Sequence, residues 1–125
     1  MSPGKVQVIV VEGRELADKD LIGKSDPFVE LWFDKKYKQK TSTIKNNLSP
    51  VWIEGLEFNV DKHEHYLYLR VKDDGILLDR EIGEGKVDIK EVYSHGHMDV
   101  WVKLPKLLGL RSNGEVRLII EYART

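Results

Sequence analysis

Along most of this chain, apolar residues alternate with polar ones in short runs broken by Gly, Pro, Asn and Asp, which is the pattern of strands that bury one face. Residues 5–12 (KVQVIVVE) are β-branched at nearly every position, as suits a strand packed centrally in a sheet. In residues 27–34 (PFVELWFD), Phe28, Glu30 and Trp32 alternate with Val29, Leu31 and Phe33. Residues 36–44 alternate as well, with Lys36, Lys38 and Lys40 on one side and Tyr37, Gln39 and Thr41 on the other, which predicts a strand bearing a lysine ridge. Residues 46–50 (NNLSP) have turn chemistry, and 56–60 form a short strand. In 65–72 (HYLYLRVK), Leu67, Leu69 and Val71 oppose Tyr66, Tyr68 and Arg70. Further strands run over 82–89, where Gly83 and Gly85 imply a bulge or close packing, through Val100, Val102 and Leu104, and over 114–122 (GEVRLIIEY). Only 89–93 has helical character, for about one turn.

Short strands with turn signals about every dozen residues predict an all-β chain: an eight-stranded antiparallel Greek-key β-sandwich. The 125 residues suffice for one domain, 1–125 with its core over 5–122, and no internal repeat divides them.

The 20 basic and 21 acidic residues leave a net charge of −1, which excludes attraction to nucleic acid or anionic lipid by uniform charge. The charges are segregated instead. Residues 35–45 hold five lysines and no acid, residues 73–84 hold five acids against Arg80, and residues 12–26 hold five acids against three bases. The absence of cysteine excludes disulfides, thiolate zinc sites and cysteine nucleophiles, and fits a reducing compartment. No leader pattern opens the sequence, and the apolar run 8–11 is too short to span a membrane, so a soluble intracellular domain is expected.

The runs LADKDLIGKSDPFVELW, KQKTSTIKNNLSPVWIEGLEF, YLRVKDD and EIGEG, in that order, resemble the C2 domain, the calcium- and phospholipid-binding β-sandwich of signalling and membrane-trafficking proteins. The resemblance covers residues 5–122, and its most specific pieces are GKSDPF at 23–28 and LSPVW at 48–52. The C-terminal GEVRLIIEYA is similar to the strand that one circular permutant of the family carries first, which implies the type II arrangement; the chain resembles either the small single-C2-domain proteins of plants and fungi or a fragment of a longer protein.

Calcium takes about six to eight oxygen ligands, so it needs carboxylates converging from loops. Asp20 and Asp26 flank LIGKS, with Gly23 permitting a tight turn, and resemble the aspartates of the first calcium loop. Asp73 matches the first ligand of the third loop. Gly75 stands where the next acid is usual, with Asp74 before it, and Asp79 or Glu81 could serve as the distal acid in a loop one residue short. The resemblance thus implies Asp20, Asp26, Asp73, Asp74 and Asp79 as metal ligands, for a single calcium ion. Solvated loop residues are the alternative. Leu21 and Ile22, with Ile76, Leu77 and Leu78, are candidates for insertion into lipid, unless Leu77 or Leu78 folds back to cap the sandwich. Lys38 and Lys40 match a lysine-rich strand that binds phosphoinositides in several members, and with Lys36 on the same ridge they are the basic lipid-binding candidates. Glu30 and Trp32 depart from that pattern, and edge lysines also guard against aggregation.

Other features carry less. His63-Glu64-His65 and His95-Gly96-His97 lack a third zinc ligand, Trp52 suits the core or an edge, and Ser25, Ser42 and Ser49 have no triad partners. Gly83-Glu84-Gly85 lacks the strand-to-helix setting of a phosphate loop, so no enzyme is expected. The expected function is calcium-dependent, peripheral docking on anionic phospholipid membranes, rich in phosphatidylserine or phosphoinositide, by a cytoplasmic monomer that does not bind nucleic acid. The alternative is a calcium-independent scaffold that binds phosphoinositide or a partner protein through the lysine-rich strand.

Overall fold

The first strand, β1 (Gly4–Arg14), turns Val6, Val8 and Val10 inward and Lys5 and Gln7 to solvent, as its alternation requires. The computed structural model describes residues 3–18, 24–106 and 112–125. Among them, β1 is followed by β2 (Pro27–Trp32), β3 (Gln39–Lys40), β4 (Val51–Val60), β5 (Tyr66–Asp73), β6 (Arg80–Asp88), the one-turn helix α1 (Val92–His95), β7 (His97–Pro105) and β8 (Ser112–Arg124). Two antiparallel four-stranded sheets form, ordered β4-β1-β8-β7 and β3-β2-β5-β6. The C-terminal strand β8 lies between β1 and β7, which is the permuted order expected.

Between the sheets, Val6, Val8, Val10, Leu118 and Ile120 join Val29, Leu31, Leu67, Leu69 and Val71 in one core. Gly83 and Gly85 serve close packing, because a Cβ at either would press on Leu104 or on the Lys103 carbonyl of β7. Far from the acidic loops, the His63 ring stacks on Tyr93 at 4.1 Å, and the Tyr93 hydroxyl donates to the Glu64 carbonyl at 2.6 Å.

One expected strand is corrected. Residues 36–44 do not form a continuous strand: Asp34 accepts from the N–H of Lys36 through its side chain at 2.9 Å and from that of Tyr37 through its carbonyl at 2.9 Å, winding Lys35–Tyr37 into a 3-10 turn. A side chain that bonds its own backbone two residues on competes with sheet pairing. Only Gln39 and Lys40 pair with β2, so Lys36 leaves the sheet face that Lys38 and Lys40 border. Conversely, β4 begins at Val51 rather than 56, and α1 lies at Val92–His95 rather than at 89–93.

The turns relevant to function gather at one end. Arg14 ends β1, Pro27 opens β2 opposite Asp73 at the end of β5, and Arg80 opens β6 opposite the same Asp73. The β3–β4 connection joins them there: Gly13 N–H donates to the Pro50 carbonyl at 2.8 Å, and Leu16 N–H to that of Leu48 at 3.1 Å.

Candidate functional site

Asp73, the last residue of β5, is 1% exposed, the only carboxylate so deeply buried among the described residues. Burying a charged carboxylate is costly unless hydrogen bonds compensate it. Its Oδ1 accepts from the main-chain N–H of Asp26 at 2.8 Å, and the next residue, Asp74, donates its N–H to the Asp26 carbonyl at 2.9 Å. The side chain of Asp26 then accepts from Asn46 N–H at 2.7 Å. Asp26 therefore ties the β1–β2, β3–β4 and β5–β6 loops together. Beside it, buried Ser25 donates its hydroxyl to Asp18 Oδ1 at 3.3 Å and accepts Asn47 N–H at its carbonyl at 3.1 Å.

Asp74 and Asp79 are turned to other tasks. Asp74 Oδ2 accepts from the Thr43 hydroxyl at 2.9 Å, and Asp79 Oδ1 accepts from Gly75 N–H at 3.3 Å across the turn. Gly75 is required by that turn, because a Cβ there would collide with the Leu78 carbonyl; the tightness of the loop excludes any side chain from this position. Among the described residues no three carboxylate or imidazole groups come together as a metal cluster. Asp20, Leu21 and Ile22 lie outside the described residues. Asp26 and Asp73, joined through the Asp26 main chain, both carry hard carboxylate oxygens of the kind calcium takes.

At the tip of the β5–β6 loop, Ile76, Leu77 and Leu78 are 103%, 98% and 75% exposed. None folds back onto the sandwich. Three adjacent exposed aliphatic side chains amid acids form the patch that a soluble surface ordinarily avoids.

The basic face beside β2 is partly compensated. Glu30, on the outer face of β2, lies 3.3 Å from Lys72 and 4.0 Å from Lys38. Lys38 also sits over the Trp32 ring at 4.9 Å and Lys40 over that of Phe28 at 5.6 Å. Arg70, beside Lys72 on the same sheet, pairs with Glu81 at 3.1 Å and Glu84 at 3.0 Å. The sequence reading missed Lys72 and Arg70 as neighbours of this ridge, although their alternation on β5 puts them on its face. It also missed Thr43 and Asn46, whose roles depend on a loop that no periodicity predicts.

The sequence profile of the C2 domain family matches residues 4–104. Synaptotagmin-4 of Arabidopsis thaliana is 38% identical over 127 residues, covering 95% of this chain and 22% of that protein. The calcium-dependent lipid-binding protein of the same plant is 37% identical over 90 residues, covering 71% of this chain and 18% of that protein. The chain thus spans about a fifth of the length of these curated relatives. A solved C2 domain of plant extended synaptotagmin 1 superposes with a TM-score of 0.86 at 28% identity, over 100% of this chain and 98% of that one. A calcium-bound structure of two C2 domains of extended synaptotagmin 2 gives 0.81 at 27% identity, over 98% of this chain and 46% of that one.

Proposed function

The chain belongs to the C2 domain family, and from that membership we propose that it is a binding module, not an enzyme, that docks on anionic phospholipid membranes when calcium is present. The observation that carries this reading is the junction of Asp26 and Asp73 at the loop end, next to the exposed Ile76-Leu77-Leu78 tip. Asp20, Asp26 and Asp73 would hold the ion, and Asp74 and Asp79, each with one oxygen engaged by Thr43 or Gly75, would have the other oxygen to offer. A bound calcium ion would supply positive charge and coordination positions for lipid phosphate oxygens.

The remaining chemistry belongs to the chain. With their charge unopposed, the acids of the β5–β6 loop repel anionic headgroups and hold Leu77 and Leu78 away from the bilayer. Once that charge is offset, each large side chain that enters the interfacial region gains up to about 1.5–3 kcal/mol. The domain would act as a reversible, peripheral, monomeric lipid binder on a cytoplasmic membrane face, selecting phosphatidylserine or phosphoinositide. No helix among the described residues is long and apolar enough to cross a membrane.

The grouping of Lys38 and Lys72 around Glu30 on one sheet face supports a second reading, in which docking is independent of calcium and uses Lys38, Lys40 and Lys72 on phosphoinositide or a partner protein. Titration calorimetry with calcium alone separates the two. Heat saturating near one ion per chain supports the first reading, and no heat at millimolar calcium supports the second.

A further inference from the structure

Ile53 sits where both its backbone and its side chain are disfavoured. Its φ is +49°, in the left-handed region that a β-branched residue very rarely adopts, and its side chain is 68% exposed. The other non-glycine residues at positive φ among those described are Glu15 and Asn46, neither of them β-branched. The cause is a bulge. Val10 pairs with Glu54 and Glu12 with Val51, so Trp52 and Ile53 of β4 stand against Val11 alone. The bulge turns Trp52 inward, where its Nε1 donates to the Ser42 carbonyl at 3.1 Å, and leaves Val51, 55% exposed, and Ile53 both outside on an edge strand.

The fold does not require isoleucine at this position, since asparagine or glycine would hold the same φ without strain. Strain that the fold does not explain points to function. The patch adjoins the acidic end: Val51 follows Pro50, whose carbonyl takes Gly13 N–H, and Asn47 in the same loop donates to Ser25 beside Asp26. One basic side chain borders the patch. Lys45, in the loop leading into β4, is exposed with no ion pair to a described residue. Of the nearby acids, Glu12 pairs with Arg117 at 3.6 Å, whereas Glu54, which accepts from the N–H and hydroxyl of Ser42, keeps its negative charge.

We propose that Val51 and Ile53 make a second contact with the anionic bilayer, so that the domain lies tilted onto its β4 edge when its loops dock. This rests on the lipid-docking reading above and adds the orientation of the docked state. A second copy of the chain pairing on the β4 edge is the competing occupant.

The test uses Ile53→Asn, Ile53→Leu and Ile53→Cys, the last carrying an environment-sensitive fluorophore, which labels one site because the chain has no cysteine. Ile53→Asn should raise the unfolding midpoint by roughly 3–8 °C, by relieving strain, while weakening binding to phosphatidylserine vesicles about five- to tenfold. Ile53→Leu should retain binding. The label should shift to the blue on vesicles. Because the Asn variant is the more stable one, its weaker binding cannot be a folding defect. Equal binding by wild type and Ile53→Asn, with an unshifted label, overturns this inference and leaves calcium-dependent docking standing. Chelator-resistant binding that Ile53→Asn weakens supports the second contact and overturns the calcium switch. Failure of the wild type to bind any vesicle overturns both, and concentration-dependent dimerisation abolished by Ile53→Asn, without vesicle binding, assigns the patch to self-association and overturns the proposal.

Discussion

The main-chain N–H of Asp26 donates to the buried carboxylate of Asp73 at 2.8 Å, so one aspartate holds the loop that carries the other. Charge and fold can therefore be separated by substitution. Asp73→Ala leaves the Asp26 N–H without its acceptor and should cost about 1–3 kcal/mol of stability. Asp73→Asn keeps an acceptor oxygen and should unfold within a few degrees of wild type, yet lose its calcium heat. Asp26→Asn should likewise keep the bond from Asn46 and lose calcium-dependent vesicle binding. Calorimetry beside thermal unfolding checks the split; an Asn variant that still binds calcium with wild-type affinity removes that residue from the ligand set.

The aliphatic tip is a contact without a folding role. Replacing Ile76, Leu77 and Leu78 together by Ser should change stability by less than about 0.5 kcal/mol per residue, because these side chains touch little of the core. Vesicle binding should fall at least about tenfold, given the area each would bury in the interface. Vesicle sedimentation and thermal unfolding of the same variant read the two effects.

Glu30 sets the strength of the basic face. Glu30→Gln releases Lys38 and Lys72 from their internal counter-ion and should tighten binding to phosphoinositide vesicles, whereas Lys38→Ala with Lys40→Ala should weaken it. At about 1 kcal/mol per lysine near an anionic surface, each change should be about five- to thirtyfold at low salt and shrink as salt rises. Vesicle titrations over a salt series measure it.

Tyr93 gives the alkaline limb of stability. Desolvation by burial, with the Glu64 charge adding to it, pushes its hydroxyl up to about 12 from an ordinary value of 10.0. The raised value means that the folded state holds the proton more tightly than the unfolded chain. The resulting stabilisation is complete below about pH 10 and is lost as pH rises through about 12. Tyr93→Phe should flatten the decline of the unfolding midpoint over that window; an identical decline in the variant would assign it to other groups.

The sandwich was legible because period-two alternation at positions such as Leu67, Leu69 and Val71 is dictated by burial of one face, and burial is what the structure retains. The failure over residues 36–44 has a local cause: Asp34 bonds two backbone N–H groups and winds the chain just where the lysine alternation suggested a strand. At the site, the family resemblance pointed to Asp26 and Asp73 in neighbouring loops, which the structure joins through the Asp26 N–H, but nothing in the sequence signalled the engagement of Asp74 by Thr43. That bond joins residues 31 positions apart through a loop whose course depends on the whole end of the sandwich. The strain at Ile53 was equally hidden, because a bulge in β4 depends on its register with β1.

Vesicle sedimentation is the most direct test of the central claim. The wild-type chain is mixed with phosphatidylserine vesicles in calcium and then in excess chelator, with neutral phosphatidylcholine vesicles as control. The account predicts recovery with the anionic vesicles in calcium, release by chelator, and no recovery with the neutral ones. Equal recovery in calcium and in chelator would contradict it.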